Sequence, residues 1–486
     1  MSQYLINKYF SYLLIIVIFF IAITVRAYNL NSEDFWTDEI FGFWTSEPGI
    51  SSKETLIRTL NSNFNFLFDF ILKIFHSIFG YDVHVSRFLP LTLSIASLLL
   101  YFSLLKRISN FQSLIFGFFI LSINISHIKY SVEIRSYILT ILLAIIFFIL
   151  NFEKKKLANI NFLRLIGILF TSILLVFNHS FTLLMILSLI IFKILHSYKN
   201  SNYKLYDNLL LVGLILIGIF YVFVYLPYNI KFIGTEFFNS DSGSPHWMKP
   251  LKPSFFTNFY FSHFFGSRIL GIIHLLTLLY LIIRFNKYLL NELNIYSFFV
   301  ILIFITYFIP IMYNFLFGPV LVGRFIIFVI IPIISLITFL TYRIENNKLK
   351  YFLIFIITIP TTINHVLYEN SFKQFYGDVY ATKPQIRNAL KFINYSDTKT
   401  FTLLDNKAKE KNSFLAYQNY VLIYKKKLKY NLNYFQLNEE ETLPKNIWVI
   451  HIRDVYKDFY IPKSFENYKI TDKKQFNNLD LVKLTK

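Results

Sequence analysis

The sequence predicts a mainly α-helical protein, in which a polytopic transmembrane helical bundle of about eleven spans precedes a small C-terminal α/β domain outside the membrane. Of its 486 residues, 55% are hydrophobic and only 16% are charged, whereas a soluble chain carries roughly 25% charged residues. Apolar runs long enough to cross a bilayer recur as far as residue 367. From residue 368 onward the composition becomes polar, which predicts a transmembrane domain at 1–367 and a soluble domain at 368–486.

The composition also excludes several classes of protein. Without cysteine, the chain can form no disulfide, thiolate metal site or thiol nucleophile. The net charge of +20 would suit nucleic acid, but no basic recognition motif accompanies it. In a polytopic membrane protein, excess Lys and Arg lie on cytoplasmic loops beside anionic lipid. We therefore expect membrane lipids, and no nucleic acid, as partners.

The predicted spans are apolar runs of roughly 17–25 residues, which is the length that crosses the hydrocarbon core as a helix. The first run is too long for the apolar part of a cleavable signal peptide and no small-residue cleavage site follows it, so we expect a signal anchor. Only the turn Asn178-His179-Ser180 separates two of the runs. The spans are residues 9–25, 87–105, 110–128, 137–152, 162–178, 180–196, 208–227, 263–283, 297–317, 325–342 and 350–367.

Charges between the spans predict the orientation of the chain. If the amino terminus is cytoplasmic, each short inner loop carries net positive charge, which is the positive-inside pattern. Most loop acids then face outward, and the odd number of spans places the C-terminal domain outside as well. The inner basic segments are 106–107, 153–156, 193–199, 284–287 and 343–350.

The first outer loop, 26–86, contains an apolar segment that we expect to lie in the membrane interface. In Phe64–His76 the polar residues fall at 65, 69, 73 and 76, which is one stripe on a helix whose other faces are Phe, Leu and Ile. Such a helix lies in the interface. The alternative is a true span with a buried Asp69–Lys73 pair, which would invert every later loop and spoil the positive-inside pattern.

The polar C-terminal region predicts one helix and several short strands. Pro384–Ile393 has the pattern of a helix with Pro at its first position. Three short runs rich in aromatic and β-branched residues predict strands. They are Phe401–Leu404, Tyr420–Tyr424 and Trp448–Ile452.

The sequence contains no P-loop, Rossmann glycine fingerprint, nucleophile elbow or metal-ligand cluster. Histidines such as His179 and His246 have no ligand spacing to the acids, so we predict no metal site, although a divalent metal requirement is left open. A nucleotide-driven pump is disfavoured. The remaining candidates for a functional site are ionisable residues at the predicted outer ends of spans.

The first candidate is Trp36-Thr37-Asp38-Glu39, shortly after the first span. Adjacent acids beside aromatic residues lie where water meets lipid, and a carboxylate there could take a proton from an incoming hydroxyl. The alternative is a solvated acidic loop, to which Glu33 and Asp34 would also belong.

The second and third candidates are cationic. Lys129–Tyr137 lies at the outer mouth between two spans and contains Glu133 and Arg135, whose spacing would point them in different directions on a helix. Arg324 opens a later span, also on the outer side, where positive residues are disfavoured. A guanidinium fork suits a phosphate, and the alternative is snorkelling to the interface. We expect His179, in the turn between two spans, to lie near the same outer mouth. A lone histidine is, however, more often a satisfied polar group than a catalyst.

The order of these passages resembles the polyprenol-phosphate-dependent GT-C glycosyltransferases, in particular the bacterial relatives of protein O-mannosyltransferase and of lipid A aminoarabinose transferase. The resemblance covers about residues 9–340. Val132 stands where family members often have Gln, and Phe325 where Tyr is commoner. The passages are Arg26 with the W-x-D-E pattern at 35–40, an FG…R-x-P pattern at 79–90, a Y-S-x-E-x-R-x-Y pattern at 127–137, an R-F…P pattern at 323–332, and weaker echoes at 178–181 and 246–250.

The resemblance implies a sugar donor linked to a polyprenyl phosphate, undecaprenyl phosphate in a bacterium, and an acceptor hydroxyl at the outer face of the cytoplasmic membrane. Asp38 would be the general base of an inverting transfer, and Glu39 would orient it or contribute to an acid pair. Arg135, Arg324 and, less directly, Lys129 would bind the donor phosphate. Further residues expected in the substrate pocket are Glu133, Tyr137, His179 and Trp36.

Two alternatives belong to other classes. A lipid or glycan transporter would show paired repeats and charges near the midplane, whereas the candidate groups here lie at span ends. A polymer-assembly protein that binds through its outer domain leaves the ordered passages unexplained. The sequence identifies neither the sugar nor whether the acceptor is a lipid, a glycan or a protein.

Overall fold

The chain forms two compact units. The first comprises Met1–Ala27, Phe64–Phe68 and Arg87–Val379, and the second comprises Tyr28–Asn63, Asp69–Ser86 and Tyr380–Lys486. The second unit therefore combines most of the predicted first outer loop with the C-terminal region. The boundary predicted at residue 367 places these two segments in separate domains. The structure, a computed structural model, describes residues 2–28, 30, 34–60, 66–200, 205–225, 250–367, 383, 385–396, 401–404, 419–420, 433–434, 445–452, 466–476 and 479–486.

Each predicted span overlaps one or two helices of the first unit, and residues 226–227 of the span 208–227 lie outside the described residues. Short 3-10 segments at Ser180–Thr182 and Gly323–Val329 and a π turn at Tyr221–Tyr225 adjoin these helices. The helices are α1 (Ser2–Tyr28), α6 (Phe88–Ile108), α7 (Phe111–Ser122), α8 (Ile125–Tyr130), α9 (Tyr137–Asn151), α10 (Phe162–Asn178), α11 (Leu183–Asn200), α12 (Leu205–Phe220), α13 (Pro253–Phe256), α14 (Phe261–Phe265), α15 (Arg268–Arg284), α16 (Asn286–Glu292), α17 (Ile295–Leu316), α18 (Ile330–Tyr342) and α19 (Asn347–Leu367).

The helical bundle confirms the predicted fold class, while the number of spans stays a prediction. By length and composition, five helices in the described part of the chain could cross a membrane, or six if the bent pair α15 and α16 is counted as one span. Shorter apolar helices of 10–17 residues cover four further predicted spans. A two-stranded hairpin of β1 (Phe152–Glu153) and β2 (Lys156–Leu157) follows α9.

The predicted span at 263–283 begins later in the structure. Gly266 has φ +91° and ends α14, a conformation that favours glycine because it has no Cβ. Ser267 then caps α15 by accepting a hydrogen bond from Leu270 N at 3.1 Å. His263 consequently lies in a short helix before the long one.

The helices that contribute to the second unit are α2 (Thr37–Thr45), α3 (Ser52–Leu60), α4 (Phe66–Phe79), α5 (Val83–Ser86) and α20 (Ile386–Ser396). The polar stripe predicted in the loop 26–86 lies on α4 and is buried. Asp69 on α4 accepts hydrogen bonds from Thr45 at 2.9 Å and Thr59 at 3.0 Å. Lys73 donates to Thr55 at 3.1 Å and to the carbonyl of Ile50.

The opposite face of α4 is apolar and exposed at Ile74, Ile78 and Phe79. A 14-residue helix is about 21 Å long, which is shorter than the roughly 30 Å hydrocarbon core. Both observations favour the predicted interfacial helix over a span. Residue 65 of the predicted stripe lies outside the described residues.

The C-terminal region contains a five-stranded mixed sheet in the order β4-β3-β5-β7-β6. Strand β3 pairs in parallel with β4 and β5, and β7 is antiparallel to β5 and β6. The strand predicted from Tyr420 is wrong at that residue, which is helical, and 421–424 lie outside the described residues. The strands are β3 (Phe401–Leu404), β4 (Asn433–Tyr434), β5 (Asn446–Ile452), β6 (Lys469–Phe476) and β7 (Leu479–Thr485).

Candidate active site

The predicted cationic stretch lies in the first unit, between α8 and α9. Residues 131–136 form turns and bends, so the helical spacing considered for Glu133 and Arg135 does not apply there. Instead the Arg135 amide donates to the carbonyl of Glu133 at 2.7 Å. Both side chains are buried, and the Arg135 guanidinium lies 5.9 Å from the centre of the Tyr137 ring.

His179 lies beside the same aromatic residues. Its ring centre is 6.1 Å from that of Tyr137 and 5.3 Å from that of Phe325. The Phe181 amide donates to His179 Nδ1 at 3.3 Å, so Nδ1 is the acceptor and a neutral ring carries its proton on Nε2. Burial, followed by the positive charges of Arg135 and Arg324, lowers the pKa of His179 to about 3. The residue is therefore a neutral hydrogen-bond donor at physiological pH.

Arg324 reaches this group from a late position in the chain. It follows Gly323 in the 3-10 segment that leads into α18, and its guanidinium lies 5.7 Å from the centre of the Phe325 ring. A Cβ on Gly323 would lie 3.2 Å from His263 Cδ2 and 3.3 Å from Tyr260 Cγ. Glycine here therefore allows a close approach between two segments.

The sequence analysis did not identify His263, which lies in this cluster beside Tyr130. The two side chains are hydrogen-bonded, with 3.2 Å between His263 Nε2 and the Tyr130 hydroxyl. Burial, then Lys129 and Arg324, lowers the pKa of His263 to about 3. No local sequence pattern indicates this role, because His263 stands at the edge of a predicted span. We call Lys129, Arg135, Arg324, His179 and His263 the cationic cluster.

A buried network in the first unit joins α1 to the helix that precedes the cationic stretch. Arg26 is fully buried and donates to His127 Nδ1 at 2.8 Å, to Ser94 Oγ at 2.9 Å and to the Ser122 carbonyl at 2.8 Å. His127 Nε2 lies 2.8 Å from Ser97 Oγ. Carbonyl, hydroxyl and imidazole acceptors satisfy the guanidinium, which fixes α8 and hence the start of the cationic stretch.

The predicted acidic residues belong to the second unit. Asp38 and Glu39 occupy the first turn of α2, where carboxylates are favoured by the helix dipole. Glu39 is fully buried, and its Oε2 accepts from the Trp36 amide at 3.3 Å and from Lys383 Nζ at 2.7 Å. Asp38 and Trp36 are half-buried.

Asp34 also has a distant partner. Its carboxylate accepts from the Arg387 amide at 2.8 Å and from Arg387 Nε. The acidic loop is therefore not simply solvated, since Asp34 and Glu39 are both buried in ion pairs. Among the residues that the structure describes, no group of three or more His, Asp or Glu side chains could hold a metal ion.

Comparison with known proteins supports a single fold. No protein-family model matches the sequence, and no curated protein does. Among solved structures, the chain is similar to ArnT from Cupriavidus metallidurans in the apo state, with a TM-score of 0.52 and 9% sequence identity. The match covers 96% of this chain and 97% of ArnT, so it includes the transmembrane helices and the C-terminal region alike. Together with the apolar helices, the match supports a multi-pass membrane protein. The chain therefore has the GT-C fold of ArnT, which confirms the fold family that the sequence resemblance predicted.

Proposed function

We propose that this protein is an integral-membrane glycosyltransferase that moves a sugar from a polyprenyl-phosphate donor to an acceptor hydroxyl at the outer face of the cytoplasmic membrane. The observation that supports it most is the cationic cluster in a chain that shares the ArnT fold. The members of the cluster other than His263 lie in passages of the sequence that resemble the GT-C enzymes. ArnT is a lipid A aminoarabinose transferase. At 9% identity, that likeness supports the reaction type and not the sugar.

In the proposed reaction, Asp38 takes the proton of the acceptor hydroxyl. The hydroxyl oxygen attacks the anomeric carbon and inverts it, while the bond from that carbon to the phosphate oxygen breaks. The electron pair leaves with the polyprenyl phosphate. Preorganised cations stabilise such a leaving group, and Arg135, Arg324 and Lys129 would supply them.

The neutral state of His179 fits this chemistry. A protonated imidazole beside two arginines would be repelled by them, which is part of the reason why its pKa is about 3. As a neutral Nε2–H donor it can bind a phosphate or a sugar oxygen without removing positive charge from the arginines. Tyr137, whose ring centre lies 6.1 Å from that of His179, and the buried Glu133 would complete the pocket.

The test is to incubate purified protein with a panel of labelled undecaprenyl-phosphate sugars, aminoarabinose among them, in vesicles that contain candidate acceptors. The proposal expects at least one donor to lose its sugar label to an acceptor, with release of undecaprenyl phosphate. Movement of an intact donor across the bilayer without loss of label would instead support a transporter. No consumption of any donor, with the protein shown to be folded, would contradict the proposal.

A further inference from the structure

We propose that Lys383 and Arg387 are positioning residues, which hold α2 and its Asp38 in place from the C-terminal region. This inference rests on the proposed function of Asp38 and adds two residues that the sequence did not indicate. It also gives the C-terminal region a role in the reaction, as the second half of the structural unit that carries the base.

The first contact is the ion pair between Lys383 and Glu39. Lys383 Nζ lies 2.7 Å from Glu39 Oε2, across 344 residues of sequence. The Glu39 side chain is 0% exposed and that of Lys383 is 10% exposed. A carboxylate this deeply buried needs a charged partner, because burial of an uncompensated charge is strongly unfavourable.

The same oxygen of Glu39 accepts the Trp36 amide at 3.3 Å. Trp36 precedes the first residue of α2, so this bond satisfies an amide at the start of the helix. Lys383 therefore fixes a side chain that itself fixes the beginning of α2. Asp38 lies between Trp36 and Glu39, so its backbone position depends on both.

In the second contact, an acid near α2 caps a helix of the C-terminal region. Asp34 accepts the Arg387 amide in the first turn of α20, which is a capping interaction supplied from 353 residues away. The Arg387 side chain also bonds Asp34 through Nε. The negative charge of Asp34 thus meets both a helix amino terminus and a guanidinium, two favourable partners.

Aromatic side chains add further contacts between the same two parts of the second unit. Phe35 stacks on Tyr420 with 5.5 Å between ring centres, and the Phe35 amide donates to the Tyr420 hydroxyl at 3.2 Å. Tyr81 donates to Asn419 Oδ1 at 3.1 Å. Residues 34, 35 and 39 are therefore each held by the C-terminal region, and Asp38 stands within that stretch.

This arrangement separates the roles of the adjacent acids. Glu39 is committed to Lys383 and to the start of α2, so it holds the helix. Asp38 keeps the role of base that the proposed function gives it. A shift of about 1 Å in a reacting group can cost roughly 100-fold in rate, so loosening the start of α2 should lower kcat while leaving donor binding by the cationic cluster intact.

The experiment compares Lys383→Met with Lys383→Arg and with the control Lys473→Met. Lys473 also forms an ion pair, 3.2 Å from Asp480, but within the C-terminal sheet. We expect Lys383→Met to lower kcat about 10- to 100-fold with the donor KM unchanged, Lys383→Arg to recover most of kcat, and Lys473→Met to behave like wild type. Wild-type kcat in Lys383→Met, or an equal fall in Lys473→Met, would overturn the inference.

Two further measurements keep the test decisive. If Lys383→Met does not accumulate, the double variant Glu39→Gln/Lys383→Met leaves no lone buried charge, and the same fall in kcat is expected from it. Limited proteolysis of the first outer loop needs no activity. Cleavage at 28–63 should be faster in Lys383→Met and in the double variant than in Lys473→Met. Unchanged cleavage would overturn the inference even if the wild type transfers no sugar, whereas faster cleavage without any transfer would contradict only the proposed function.

Discussion

The two units handle charge in opposite ways. In the first unit, cations from two segments, Lys129 and Arg135 in one and Arg324 in the other, act on the neutral rings of His179 and His263. In the second unit, the buried acids Asp34 and Glu39 are each paired with a cation from the C-terminal region. Gathering like charges is unfavourable unless an anion joins them, whereas pairing opposite charges holds a structure together. This difference agrees with the proposed function, in which the first unit binds the donor phosphate and the second unit positions the base.

Asp38→Asn should have the largest effect on the reaction. Loss of the base is expected to lower kcat by about 10²- to 10⁴-fold, with the amount of membrane-inserted protein unchanged. Transfer assays on purified protein measure it. The matched control is Glu54→Gln, an exposed acid of the same loop that pairs with Arg58. Retained transfer in Asp38→Asn would remove the proposed base.

Arg324→Ala and Arg135→Ala should each raise the donor KM or lower the apparent affinity about 10- to 100-fold, the value of a charged hydrogen bond. Donor saturation curves measure this. Arg284→Ala is the control, because Arg284 is exposed and contacts the Tyr280 hydroxyl at the end of α15. Unchanged saturation would argue for snorkelling side chains instead of phosphate ligands.

His76 should make the second unit sensitive to acid. Burial lowers the pKa of His76 from 6.5 to about 4, although the Ser46 carbonyl and Asp82 oppose the shift. Since the unfolded chain binds the proton at higher pH, this contribution to stability is present above pH 6.5 and is lost as the pH falls toward 4. At about 1.4 kcal/mol per pKa unit, the loss approaches roughly 3 kcal/mol. Thermal unfolding between pH 7 and 4 measures it, and an equal pH slope in His76→Gln would refute the assignment.

Gly323→Ala should have the smallest effect. The added methyl would crowd His263 and Tyr260, which we expect to cost about 1 kcal/mol of stability and to raise the donor KM slightly. Gly218→Ala, where the nearest atom would be 3.8 Å away, is the control and should lose no stability. If both variants behave alike, the close approach at Gly323 does not shape the cluster.

The sequence predicted the elements better than it predicted their partners. Apolar runs located the helices because a membrane helix needs only a continuous local pattern. Arg135 and Arg324 stood out because positive residues are disfavoured on the predicted outer side, and Asp38 because it is one of two adjacent acids beside aromatic residues. Nothing local marks Lys383 as the partner of Glu39, since the two are 344 residues apart. Strand β6 was missed because Lys469–Phe476 is mostly polar and is exposed at all but its last residue, so it lacks the alternation of apolar and polar residues that predicts a strand. His263 was missed because Gly266, at positive φ, ends the short helix that contains it, whereas the apolar run continues without a break.

The most direct test of the division between the units is equilibrium binding of undecaprenyl phosphate to Asp38→Asn and Arg324→Ala, measured side by side. We expect Asp38→Asn to bind as the wild type does while transferring no sugar, and Arg324→Ala to bind at least about tenfold more weakly. Equal loss of binding in the two variants, or wild-type binding by Arg324→Ala, would contradict the account.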